Sequence, residues 1–165
     1  MSVSDREQLR LDFLAAAGLA EAARAPLPGD ASTRRYERLT PPGGPTLMLM
    51  DQAPAAESPP ADPAWTPEQR HAAGWNAVAR LSAGRIEAFA AVAAHLKSLG
   101  LSAPEIPALD ALNGLAVLED FGDALFARVI EAGQDEATLY LAAVEALVRL
   151  QEAPTPDVLR GPAGD

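Results

Sequence analysis

The run Leu47-Met48-Leu49-Met50-Asp51 constrains this chain more than any other stretch. Successive side chains of a β-strand point to opposite faces, so a strand over Thr46–Asp51 is apolar on both. Strands of that kind are covered on both sides, which predicts a layer above the sheet and a layer below it. A partner strand is expected around Arg34–Leu39. Thr40-Pro41-Pro42-Gly43-Gly44-Pro45 then turns one into the other as a β-hairpin with a long turn. Ahead of the hairpin, residues 24–33 read as loop, Arg24-Ala25-Pro26-Leu27-Pro28-Gly29-Asp30-Ala31-Ser32-Thr33.

The helices announce themselves at their ends. Ser4 with Glu7 makes a capping-box pattern for a first helix, which carries Leu9, Phe13 and Ala16 on one face and stops at Gly18. Residues 52–65 are a Pro/Ala-rich connection, expected to be extended and exposed. Thr66-Pro67-Glu68-Gln69 restarts a helix, with Thr66 as N-cap, Pro67 at the first helical position and Gln69 closing a second capping box. Ser82–Arg85 breaks that stretch. Ile86, Phe89, Ala93, Leu96 and Leu99 then recur at helical spacing up to Gly100.

Glu105–Leu112 and Leu115–Glu119 flank Asn113-Gly114, a signal for a type I′ hairpin with positive φ at both turn residues. Pro107 lacks a donor and places its strand at a sheet edge. Ala124–Glu131 and Glu136–Glu152 read as helices, the latter with Leu139, Ala143, Leu147 and Leu150 on one face. Residues 154–165 form a Pro/Gly-rich tail. Helix, hairpin, helices, hairpin, helices specifies an α+β fold with an antiparallel sheet of about four strands. No internal repeat is present.

Composition narrows the chemistry. The 165 residues suit one domain with an extension, and Leu, Ile, Val and Phe supply 37 of them against 36 Ala, so the core is thin. A net charge of −10 argues against nucleic acid and anionic membrane surfaces as partners. Without Cys there is no disulfide, thiolate zinc site or Cys nucleophile. His71 and His95 have no metal-ligating residue three or four positions on, so no metal site is expected. No run of 18 apolar residues occurs and the N-terminus is not a signal peptide, so a cytoplasmic location is expected. A Walker loop, a Gly-x-Gly-x-x-Gly and a Gly-x-Ser-x-Gly elbow are all absent.

Three segments in order resemble one family. They are Gly29-Asp30-Ala31-Ser32-Thr33-Arg34-Arg35-Tyr36 with Leu49-Met50-Asp51-Gln52-Ala53-Pro54, then Phe89–Leu96 with Gly100-Leu101-Ser102-Ala103-Pro104, then Gly114 through Asp123. Over roughly residues 5–152 the chain is similar to the aminoglycoside-phosphotransferase-like kinases, and within them to the branch acting on N-acetylmuramate and N-acetylglucosamine. The resemblance implies a protein-kinase-like N-terminal lobe over 1–119, with 52–67 as an insertion. It places a hinge and the first helices of a C-terminal lobe over 120–153. It implies ATP and Mg²⁺ as cofactors and an amino-sugar acceptor reached only with a C-terminal lobe. A place in cell-wall recycling follows from the same likeness.

The candidate site follows from that likeness. In a phosphate-binding reading, the backbone of Gly29, Asp30, Ala31, Ser32 and Thr33 cradles phosphate oxygens, and Arg34 or Arg35 adds charge-assisted contacts. An ordinary turn with solvent-facing arginines accounts for the same residues. Leu118, Glu119 and Asp120, up to Phe121, would be the hinge whose backbone meets adenine. The alternative is a strand end at which Asp120 and Asp123 open a helix or share a cation.

Departures from the family are equally informative. The strand Thr46–Asp51 lacks the usual Lys, the only one in the chain is Lys97, and Asp51 stands in that neighbourhood. Glu87, the nominal acidic partner, is expected at the surface. No His follows His95 and no Asn follows Asn113, so the His-x-Asp-x-x-x-x-Asn loop is missing and no catalytic residue or metal ligand is assigned. The chain is therefore expected to be catalytically incomplete, with the faces of Phe121–Ile130 and Leu139–Leu150 exposed and prone to self-association. A standalone, non-catalytic nucleotide- or protein-binding module is the alternative, and an unrelated acidic α+β domain a third reading.

Overall fold

A computed structural model describes residues 3–29, 34–53, 62, 64–72, 86–159 and 161. The elements are α1 (Val3–Ala16), β1 (Ala23–Pro26), β2 (Arg35–Thr40), β3 (Leu47–Asp51), α2 (Pro67–Ala72), α3 (Ile86–Ser98), β4 (Ala108–Asp110), β5 (Leu115–Glu119), α4 (Phe126–Glu131) and α5 (Glu136–Glu152). The strands form one antiparallel sheet in the order β1-β2-β3-β5-β4. That is α+β, as expected, with five strands among the described residues where about four were expected.

β3 is the central strand and is covered on both faces. On one side Leu49 packs with Leu39, Val117 and Leu14 of α1. On the other, Met50 packs with Ala116, Leu118 and Ile86 of α3. Leu39, Leu49, Met50, Leu115, Ala116 and Val117 are wholly buried, so the thin apolar supply is concentrated on β3 and β5.

The extra strand is β1, where a loop was expected from Arg24 onward. Ala, Arg and Pro are poor strand formers. Pairing with β2, from Ala23 opposite Thr40 to Pro26 opposite Glu37, overrides that preference. Pro26 is tolerated because β1 is an edge strand. At the other edge, β4 begins just after Pro107 and is shorter than the sequence suggests.

The β4–β5 turn also differs from expectation. Asp110 pairs with Leu115, so four residues, 111–114, make the loop. Only Gly114 has positive φ (67°), which excludes a type I′ turn. The Asp110 carboxylate takes over, accepting from the Asn113 backbone N–H at 3.0 Å and from its side-chain amide at 2.8 Å.

Helix boundaries follow their caps. Thr66 and Gln69 exchange the two expected capping-box bonds, at 2.8 and 3.3 Å. α1 starts at Val3, one residue ahead of the expected Ser4 cap. α3 starts at Ile86, and the expected break at Ser82–Arg85 lies outside the described residues. α5 runs over the expected span, with Asp135 as its cap. Neither α4 nor α5 buries a residue; Phe121, Leu125, Tyr140, Leu141, Val144 and Leu147 are all more than half exposed.

Candidate functional site

The pleat of β2 and β3 gives the sheet two chemically different faces. Arg35, Glu37, Leu39, Leu49 and Asp51 belong to the α1 face; Tyr36, Arg38, Met48 and Met50 belong to the α3 face.

The α1 face holds a network of ion pairs. Arg6 donates to Asp51 Oδ1 through Nε (3.1 Å) and Nη2 (2.6 Å), and through Nη1 to the Asn113 carbonyl (2.6 Å). Arg10 Nη1 lies 3.4 Å from Asp51 Oδ2 and 3.2 Å from Glu37 Oε1. Arg24 joins Glu37 (2.7 Å) to Glu7 (2.6 Å). Hydrogen bonding from Arg24 holds the Glu7 carboxyl below the usual range, and hydrogen bonding to Glu37, then to Glu7, pushes the Arg24 guanidinium up. Asp51 and Glu37 are buried, so these pairs fasten α1 and β1 to the sheet.

Sequence reasoning missed this network. Its signal was present in Arg6 and Arg10, one helical turn apart, with the acidic Glu37 and Asp51 on strands. It also settles the role of Asp51. The β3 residue turned towards α3 is Met50, which packs on Ile86; Asp51 is turned away to α1. Glu87 itself is half-buried rather than fully at the surface.

On the α3 face, β-sheet register sets Arg38, Met48 and Leu118 in one cross-strand row, with Tyr36, Met50 and Ala116 in the next. The Tyr36 hydroxyl donates to Met50 Sδ at 3.4 Å. Beyond that row, the Arg34 guanidinium sits 5.7 Å from the Phe89 ring centroid and donates to Gln52 Oε1 at 3.2 Å. Gln52 is buried, and its Nε2 has no partner among the described residues.

At the opposite end, Arg38 reaches across β3 to the segment that leaves β5. Its Nε and Nη2 bond Asp120 at 2.7 and 3.4 Å, and its Nη1 and Nη2 bond Asp123, both at 3.0 Å. The Asp120 side chain is only 4% exposed. It also accepts from the Gly122 backbone N–H at 2.8 Å. Burial pushes the Asp120 carboxyl up, but Gly122, Arg38 and Thr46 together outweigh it and hold it below the usual range. Arg38 likewise lowers Asp123, and the two carboxylates raise Arg38 in return.

The expected site residues are thus divided. Gly29 is exposed, and Asp30, Ala31, Ser32 and Thr33 lie outside the described residues. Arg34 and Arg35 sit on opposite faces of the sheet, and only Arg34 shares a face with Leu118. Leu118 is buried, and Glu119 is exposed with its N–H bonded to the Glu105 carbonyl at 2.9 Å. Asp120 and Asp123 do not open a helix. α4 is capped by Leu125 without any side-chain bond, and the cation the two carboxylates share is Arg38. Among the described residues no three His, Asp or Glu side chains gather to hold a metal ion, so Mg²⁺ finds no fitting ligand set there. Nor, among them, is any helix long and apolar enough to cross a membrane.

Comparison with known proteins bears on this arrangement. No family model matches the chain. Over 157 residues it is 52% identical to the N-acetylmuramate/N-acetylglucosamine kinase of Caulobacter vibrioides. The likeness is to a sugar kinase. It covers 95% of this chain and 43% of that protein, so the chain spans less than half the length of its relative.

Proposed function

We propose that this chain is the nucleotide-binding part of an ATP-dependent kinase for an N-acetylated amino sugar. The observation that carries the reading is the 52% identity to the Caulobacter kinase, which runs along 95% of the chain. The architecture supports it: an antiparallel sheet covered by α3 and followed directly by an exposed linker after Glu119.

In this reading the base lies against the Met48–Leu118 row, and the backbone of Leu118–Phe121 supplies its hydrogen bonds. The phosphates extend towards Arg34, at the far end of the same face. Arg35, on the α1 face, is a poorer phosphate partner than Arg34. ATP supplies the transferable phosphoryl group; this chain contributes binding and orientation. The catalytic base, the Mg²⁺ ligands and the sugar pocket are not assigned to these 165 residues.

Calorimetric titration of ATP into the chain tests the binding half, with saturable binding expected. Replacing the 157 matched residues of the Caulobacter kinase by this chain's tests the rest. The chimera is expected to phosphorylate N-acetylmuramate or N-acetylglucosamine. A folded chimera that binds no ATP would refute the reading.

A further inference from the structure

The linker after β5 is exposed, yet it is fastened at almost every residue. Glu119 is tied on one side, its N–H to the Glu105 carbonyl and its Oε2 accepting from the Glu105 N–H at 3.1 Å. Asp120 is held by two bonds from Arg38 of β2. Asp120 in turn fixes Gly122, whose φ of 73° makes the turn. Asp123 is gripped by the other edge of the same guanidinium, and its carbonyl accepts from the Leu125 N–H at 2.8 Å.

One side chain therefore pins two points of the linker to the sheet. Arg38 uses Nε, Nη1 and Nη2, so its planar fork is shared between two carboxylates. Helix packing alone does not call for such a device, because α4 and α5 bury no residue. A ligand that reads linker backbone does call for it, since donors and acceptors held in place before binding lose less entropy on binding.

We propose that Arg38 is a positioning residue for nucleotide binding. By clamping Asp120 and Asp123 it presets the Leu118–Phe121 backbone against which the base docks, without touching the phosphates. This rests on the nucleotide reading above. It assigns Arg38, Asp120 and Asp123 a part in base recognition rather than in phosphate neutralisation.

The test separates base from phosphate. ATP and inorganic tripolyphosphate are titrated into the wild-type chain and into Arg38→Gln. ATP affinity is expected to fall by about tenfold as the linker loses its fixed geometry, while tripolyphosphate affinity stays within roughly twofold. Arg38→Lys should recover only part of the loss, because one ammonium cannot hold two carboxylates edge-on. Amide hydrogen exchange provides the second readout. Gly122 and Leu125 should exchange faster in Arg38→Gln, while β3 and β5 stay protected.

Equal weakening of ATP and tripolyphosphate, or no weakening of either, overturns the proposal, as does unchanged exchange at Gly122. Absence of ATP binding by the wild type sinks the nucleotide reading and this proposal with it. ATP binding with an unaffected Arg38→Gln removes this proposal alone.

Discussion

Asp51→Ala removes the acceptor at the centre of the α1-face network, and its effect can be worked from the contacts. The carboxylate receives two bonds from Arg6, at 2.6 and 3.1 Å, and lies 3.4 Å from Arg10. The Arg6, Arg10 and Asp51 side chains are only 11%, 13% and 9% exposed, so water does not readily replace what is lost. Breaking one partner out of a buried pair costs about 3–5 kcal/mol. Arg6 still keeps the Asn113 and Gly114 carbonyls, and Arg10 still keeps Glu37. Neither guanidinium is stranded, so the lower end applies, about 3 kcal/mol.

Urea unfolding followed by far-UV circular dichroism reads that loss. With a slope of roughly 1–3 kcal/mol per molar, the midpoint should fall by roughly 1–3 M at unchanged slope. Asp51→Asn, which keeps the shape and one acceptor, should fall between Ala and wild type. Nucleotide affinity of the folded fraction should not change, because Asp51 faces α1. A loss below about 1 kcal/mol would refute the reasoning. It would mean that desolvation of the network cancels its attraction and that α1 is held mainly by Leu14 and Phe13.

Two further outcomes are expected. Leu49→Ala empties a site wholly enclosed by Leu14, Leu39 and Val117, and should cost about 2–5 kcal/mol in the same unfolding assay; a smaller value would mean that α1 collapses into the hole. Glu7, Asp120 and Asp123 all titrate below their ordinary values of 4.5, 3.8 and 3.8. A carboxyl whose folded pKa is depressed contributes stability in full above its unfolded value and loses it as pH falls through the folded one. Urea midpoints should therefore hold from pH 7 to about 5 and drop below about 4, less steeply in Arg38→Gln; equal slopes would remove Arg38 from the acid response.

The central architecture was legible because it rests on local rules. Four large apolar residues between two turn-forming segments fit a doubly covered strand, and β3 is one. The helix from Thr66 was readable because its two capping-box partners, Thr66 and Gln69, lie three positions apart in one segment. What was not legible depends on partners far away in sequence. β1 consists of weak strand formers and exists through β2 and through Arg24, which reaches Glu37 and Glu7. Asn113-Gly114 followed the right pair of strands but the wrong turn, because Asp110 offered the backbone a competing acceptor.

The candidate site was divided by the same principle, since one step along a strand reverses the face. Arg34 and Arg35 are adjacent in sequence and fall on opposite sides of the sheet, as do Met50 and Asp51. Arg38 carried no motif, and its partners Asp120 and Asp123 stand more than 80 residues away. Charge then decides how such a site can bind an anion. The chain carries −10, and Arg6, Arg10, Arg24 and Arg38 are each committed to carboxylates, so none can turn to a polyphosphate without breaking an internal pair. Screening over about 8 Å weakens the distant repulsion but does not supply attraction. In the nucleotide reading, affinity from these residues must therefore come mainly from the base end, where apolar Met48 and Leu118 meet a linker that Arg38 has already fixed.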